Sequence, residues 1–323
     1  MKSIYKSIFS SLLFLCIGMT AYAQDFAKVD AAVKAYKAAD IDKLAAQINK
    51  DFSRDDEKAR AIFTWLATNI KYDLAALNGP QRGPIGYSYR TEEERQAIRN
   101  KIKMDMATKT FKSKKAVCEG YATLFVVLAD KTGLQAEMIA GTAKSHPDHI
   151  GKLPVNSDHA WNAVKIGNEW KLVDATWGAG TVTGQKPQFN FRFNDGYFFT
   201  EPDAFFLNHF PEDQKWLLTK KSKEQFADLP LYYGNYLDGG YEFVSPAAGT
   251  FKNAKAGVVP FKVKNLKPTD EVAYAFSSTN TYTPVKPLQN GEVSEFEITL
   301  DNKARGYLTI YINERSVASY KIN

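Results

Sequence analysis

Cys118, His159 and Asp174 are the residues of this chain whose types could together form a nucleophilic apparatus. A thiol attacks as its thiolate, and a helix N-terminus favours that negative charge through unpaired N–H groups and the helix dipole. A nearby imidazole must then accept or share the proton, while a third polar group holds that imidazole in one tautomer and orientation. Cys118 stands where such help is expected. It opens a segment whose stripe of Tyr121, Leu124, Phe125 and Leu128 keeps helical spacing, and Gly133 supplies a left-handed stop. Glu119, next to the thiol, fits a first-turn acid that favours the helix dipole.

The other two residues lie on what reads as a hairpin, with strands over His159–Ile166 and Glu169–Thr176 joined at Gly167-Asn168. A two-residue turn pairs Ile166 with Glu169, which sets His159 opposite Thr176 and Trp161 opposite Asp174. His159 and Asp174 become diagonal neighbours on one face, Cβ atoms about 7 Å apart, within reach of a side-chain hydrogen bond. A register slip of one residue would separate them. Val164, Ile166 and Val173 occupy the other face as packing residues, so both faces are expected to be at least partly buried.

The cysteine count sharpens the case. Lys2 and Lys6, the apolar run Ile8–Ile17 and the small-residue site Ala21-Tyr22-Ala23 read as a secretory signal peptide over 1–23, cleaved after Ala23. Cys16 leaves with it, so Cys118 has no disulfide partner in its own chain. A lipid-anchored alternative would use Cys16, but Leu15 before it is larger than such a site favours. Secretion or a periplasmic location is the expectation. Removing two lysines lowers the net charge from +6 to +4 (6 − 2), mildly basic and without the clustered basic surface that nucleic acid needs. The dense run Lys112–Lys115 reads as a solvated loop. No later stretch has the length of a membrane span.

The elements that must position these residues follow in order. Apolar spacing from Phe26 to Ile48 predicts one or two helices with a break near Asp40. Ser53 with Asp56 resembles a capping box that opens a helix with Ile62, Phe63, Leu66 and Ile70 buried on one side. Asn78 to Tyr89 is rich in Gly and Pro and reads as loop, after which Thr91 and Glu94 cap a helix running towards Lys109. A strand over Gln135–Thr142 precedes the hairpin. Helices followed by strands, without the alternation of a parallel sheet, indicate an α+β domain over 24–236. Beyond Gly239-Gly240 short alternating runs (Val258–Val263, Val272–Phe276, Phe296–Leu300, Tyr307–Ile312, Val317–Ile322) predict an immunoglobulin-like β-sandwich over 241–323.

Three segments, Ala116-Val-Cys-Glu-Gly-Tyr-Ala122, Asp158-His-Ala-Trp-Asn162 and Trp170-Lys-Leu-Val-Asp-Ala-Thr-Trp177, resemble the motifs of transglutaminase-like proteins in the same order. Tyr197–Pro202, His209-Phe-Pro211 and Trp216-Leu-Leu218 resemble the segment that follows the core in the kyphoscoliosis-peptidase-like branch. The likeness covers roughly Phe52 to Pro230. It implies a papain/transglutaminase-like core, with helices packed on an antiparallel sheet. By position it implies Cys118 as nucleophile, His159 as general base and acid, and Asp174 as its orienter. The Cys118 N–H is the natural first oxyanion donor. Trp65, Tyr72 and Trp161 are candidates for the second, although each also reads as a packing aromatic.

The reaction then expected is acyl transfer through a thioester. A cysteine peptidase or amidase acting on peptide or isopeptide bonds leads, with protein crosslinking and a non-catalytic binding module as alternatives. A protein or peptide substrate is implied, and a cell-wall peptide is permitted. No cofactor or metal is called for. His146, Asp148 and His149 match no strong zinc spacing and read as a polar loop near the cleft. His209, in the His-Phe-Pro segment, could approach the site, but a structural hydrogen bond is the preferred reading. Oligomeric state is open.

Overall fold

The computed structural model describes residues 26–79, 86–184, 186–251, 257–279, 281–300 and 304–323. The export signal and Cys16 lie outside the described residues. So does the middle of the Asn78–Tyr89 segment.

Two short helices, Ala27–Lys34 and Ile41–Asp51, open the chain, and Asp40 caps the second by accepting the Lys43 N–H. The helix Asp55–Asn69 begins one residue after Arg54 with no side-chain cap, so Ser53 does not form the expected capping box. Nor is that helix buried on one side alone: Ala59 through Ala67 are all buried. It is the central rod of the largest core cluster, and its Arg60 is enclosed by Phe26, Phe63, Phe193 and Phe198 while pairing with Asp30 and Asp195. A buried guanidinium requires such partners.

Thr91 caps the long helix Glu92–Ser113, which runs past Lys109. The Lys112–Lys115 run is solvated except at Lys114, but it is a helix end and a strand start, not a loop. Lys114 ends the helix in a left-handed conformation with Nζ 4.1 Å from the Trp65 ring centroid and 3.8 Å from that of Phe111, and Lys115 begins a short strand. That strand, Lys115–Ala116, pairs in parallel with Lys71–Tyr72. The cysteine helix, Cys118–Lys131, follows at once. Its apolar stripe is core, as expected.

A five-stranded antiparallel sheet lies against this helix, in the order Phe198–Thr200, Glu169–Val173, His159–Ile166, Ala136–Ala143 and His209–Pro211. Val164 and Val173 join the helical core, while Trp161, Ala163 and Leu172 pack on the other face with Ile139 and Phe205. Both faces are thus covered, which accounts for a histidine strand buried from His159 to Val164.

The C-terminal part forms two facing sheets. One carries Leu231–Tyr232, Arg315–Ile322, Gly306–Ile312, Val272–Phe276 and Thr283–Val285, with Thr250–Phe251 also on the 315–322 strand. The other carries Glu242–Ser245, Gly257–Lys264, Val293–Leu300 and Leu288–Asn290. Phe261 stacks on Phe296 between them. Tyr232 and Tyr236, upstream of the Gly-Gly pair, belong to this core as well. Among the described residues no helix is long and apolar enough to cross a membrane.

Candidate active site

Cys118 is the first residue of its helix and is partly exposed. The N–H groups of a first helical turn have no intrahelical acceptor, so they face whatever negative charge lies at that end. Val117, the residue before, is extended and offers no side-chain cap. Two residues on, a Cβ on Gly120 would come within 2.6 Å of Ala116 Cβ and 2.8 Å of Thr110 Oγ1. Glycine there lets the helix start close against the long helix. The Asn162 amide on the histidine strand donates to the carbonyl of Ala122, at 3.0 Å, and to that of Glu137, tying strand to helix.

The hairpin register is the one expected, from Ile166 opposite Glu169 to Asn162 opposite Val173. It stops there. Asp174 does not face Trp161 in a ladder, nor His159 Thr176; Trp161 and His159 lie opposite Ile139 and Gly141 on the neighbouring strand. The cause is the Asp174 side chain itself. Its Oδ1 accepts the N–H groups of Thr176 at 2.8 Å and Trp177 at 3.1 Å, which turns the chain into a short helix, Ala175–Ala179.

Same-face placement survives this change. His159 Nε2 and Asp174 Oδ2 are 2.8 Å apart, and both side chains are almost wholly buried. Nδ1 is the ring nitrogen left for the Cys118 thiol, which is near enough to the imidazole to help raise its pKa. The structure therefore brings the three residues together. Burial alone would lower the His159 pKa, but the charge and hydrogen bond of Asp174, and then Cys118, outweigh it and push it up to about 10. Burial likewise acts to raise Asp174, yet His159 and then His209 hold its carboxyl well below the usual carboxylate range.

His209 makes a hydrogen bond, and makes it at the site itself. Its Nε2 lies 3.0 Å from the same Asp174 Oδ2, and its ring stacks on Phe205 with centroids 3.9 Å apart. Trp177, which carried no role in the sequence reading, lies 5.4 Å from the His159 ring and 4.7 Å from that of His209. One ligand atom each from His159, Asp174 and His209 fall within 4.8 Å of one another, a geometry that could surround a cation. The same atoms are joined by the two hydrogen bonds on Asp174 Oδ2.

Of the three aromatics considered for the oxyanion, Trp65 is buried and stacked on Phe111 in the helical core. Trp161 packs against His159 and His209, and its Nε1 makes no hydrogen bond among the described residues. Tyr72 pairs with Ala116, two residues from Cys118; burial first, then the charges of Cys118 and Asp174, raise its phenol. His146, Asp148 and His149 lie in a polar loop. His146 caps a 3-10 turn, Pro147–His149, whose Asp148 accepts from Tyr307 of the C-terminal sheets. Glu119 is exposed.

A family model described as the transglutaminase-like superfamily matches residues 42–175, a span holding Cys118, His159 and Asp174. Human kyphoscoliosis peptidase is 30% identical over 257 residues, 78% of this chain and 35% of its own length. The chain belongs to the transglutaminase-like superfamily. Within it, this protein lies in the kyphoscoliosis-peptidase-like branch. Hillarin of Drosophila melanogaster is 24% identical over 64% of this chain and 24% of its own. The chain thus spans about a third or less of these curated relatives. A solved transglutaminase shares 20% identity over 57% of this chain and 40% of its own, with a TM-score of 0.29.

Proposed function

We propose that this transglutaminase-like protein is an exported thiol acyl-transfer enzyme that cleaves peptide or isopeptide amides. The observation that carries the reading is the half-exposed Cys118 at a helix start, within reach of an imidazole whose far nitrogen is 2.8 Å from a buried carboxylate. Cys118 Sγ adds to the amide carbonyl carbon, and the oxygen takes the electron pair facing the Cys118 N–H. His159, held protonated by Asp174, gives its proton to the leaving nitrogen as the C–N bond breaks. A thioester and a free amine result. Water then attacks the thioester, neutral His159 takes its proton, and the acid leaves as the thiol is restored.

A groove bounded by Gly141, Thr142, Asn156, Ser157, Phe210 and Glu212 runs beside the strands that carry His159 and His209. It offers a place for an extended peptide. Transfer to an amine in place of water would make the protein a crosslinking enzyme, and a silent thiol would make it a binding module. The test is to incubate the chain with an electrophilic thiol probe and a peptide library beside Cys118→Ala. Labelling and turnover that disappear in the variant are expected. Turnover that requires a lysine acceptor would replace hydrolysis with crosslinking, and labelling that ignores the substitution would end the enzymatic reading.

A further inference from the structure

We propose that His209 is a positioning residue of this site, donating Nε2–H to Asp174 Oδ2 so that the carboxylate is fixed in the direction His159 requires. The proposal rests on the triad reading above. Asp174 has two oxygens, and each has two donors: Oδ1 takes the Thr176 and Trp177 N–H groups, and Oδ2 takes the two imidazoles. A buried carboxylate left with an unmet lone pair is costly, and its torsion is soft unless its partners define it. His209 supplies the fourth donor.

The ring is built for that task alone. It is 1% exposed, stacked on Phe205 and edged by Trp161 and Trp177. Its backbone is fixed at the sheet edge, where His209 pairs with Ala143. Nδ1 meets no hydrogen-bond geometry among the described residues, although the Phe205 backbone is close enough to favour a proton on the ring slightly; Asp174 is the partner with full hydrogen-bond geometry.

The two histidines cannot both be cations. Two imidazolium rings on one carboxylate would leave a net positive charge in a dry pocket. The groups facing His209 are Asp174 and His159, with the neutral Tyr197 phenol 6.3 Å off. Burial, the largest effect, pushes the His209 pKa down, whereas His159 goes up. His209 is thus the neutral donor and His159 the cation. The family match ends at residue 175, so it assigns His209 nothing.

The test uses the full chain and iodoacetamide, following the rate of Cys118 alkylation against pH in the wild type, His209→Ala, His209→Gln and Phe205→Leu. His209→Ala should slow alkylation at pH 6 about tenfold, equivalent to roughly one pH unit in the profile. His209→Gln, whose amide can donate, should return to within about threefold. Phe205→Leu, which loosens the ring but keeps the donor, should leave the profile in place. A His209→Ala profile that superimposes on the wild type, or a Phe205→Leu shift of equal size, overturns the proposal. Should His209→Ala fail to fold, nitrogen-15 histidine NMR of the wild type decides: His209 must be protonated at Nε2 and bare at Nδ1, and the reverse tautomer refutes it. His159→Ala separates the two levels of inference. If it too leaves the profile unchanged, the triad reading fails and takes this one with it; if it alone collapses the profile, only His209 loses its role.

Discussion

Asp174→Asn is the substitution that separates the two tasks of Asp174. The asparagine carbonyl can still accept the Thr176 and Trp177 N–H groups now held at 2.8 and 3.1 Å, so the cap on Ala175–Ala179 should persist. The other arm becomes an NH2 donor aimed at two imidazoles that themselves need an acceptor. With Asp174 ionised, His159 keeps its proton to about pH 10 against an ordinary 6.5. That difference of 3.5 units corresponds to about 5 kcal/mol. With the anion gone burial still acts, and it acts downward, so His159 should titrate below 6.5 and be neutral at pH 7.

Three readings of that variant follow from one another. By histidine NMR, the His159 titration should move from about pH 10 to below 6.5. Turnover should fall roughly 10³–10⁴-fold, because the imidazole then presents the wrong tautomer to the thiol and has no proton for the leaving amine. In urea, the loss should be about 3–5 kcal/mol, the usual cost of breaking a buried pair. The sign with pH is set by both partners. His159, raised when folded, contributes fully below about 6.5 and loses that contribution as pH rises through about 10. Asp174, depressed when folded, contributes above its ordinary 3.8 and loses it as pH falls. The gap between wild type and variant should therefore be widest from about pH 4 to 6.5 and close towards pH 10. A variant His159 that stays protonated above pH 8, or a rate within tenfold of wild type, would refute the reasoning.

Two other substitutions probe the frame around the site. Gly141→Ala would place a Cβ against the Phe210 carbonyl, the Trp161 ring and Pro211 Cα, where the sheet closes on both histidines; a loss of about 3 kcal/mol in urea unfolding is expected, and a loss below 1 would show that the sheet edge yields. Lys144 is wholly buried, its ammonium pushed down to about 7 by burial, and Nζ donates to the Phe226, Ala227 and Leu229 carbonyls; Lys144→Met keeps the volume but strands those acceptors, so denaturation should reveal a loss of about 2–4 kcal/mol.

What could be foreseen in the sequence was whatever depends on local periodicity. The cysteine helix, the hairpin parity and the strands after 241 follow from spacings of 3.6 and 2, which are independent of distant contacts. The same parity failed beyond Val173, because a side chain at the strand end captured two backbone donors and turned the chain. An aspartate followed by Ala-Thr-Trp carries that capping option, but nothing nearby distinguishes it from a strand continued to Thr176. His209 was harder. Its relation to Asp174 spans 35 residues and depends on a three-residue edge strand joining the far side of the sheet. A length of three leaves almost no pattern. Lys114 misled through charge: a lysine run reads as solvated unless the aromatics beneath it, here Trp65 and Phe111, are known.

The residue before His209 shows how the C-terminal sheets bear on the site. Asn208 is buried, its amide donates to the Lys144 carbonyl at 3.1 Å and to the Tyr232 carbonyl at 2.7 Å, and its own carbonyl accepts the Lys144 N–H. Tyr232 in turn pairs with Ala318 on a strand wholly within those sheets. One asparagine thus joins the strand that holds His209 to the sandwich edge, through hydrogen bonds buried from solvent. Buried amide contacts of this kind have little freedom to slide, since each donor lost would be left unsatisfied. The C-terminal sheets therefore act as a brace for the edge strand of the five-stranded sheet. A hinge near Gly239-Gly240 that carried them away would first have to break the pairing of Leu231 and Tyr232 with Ser319 and Ala318, while the Asn208 contacts, all upstream of the hinge, would stay in place.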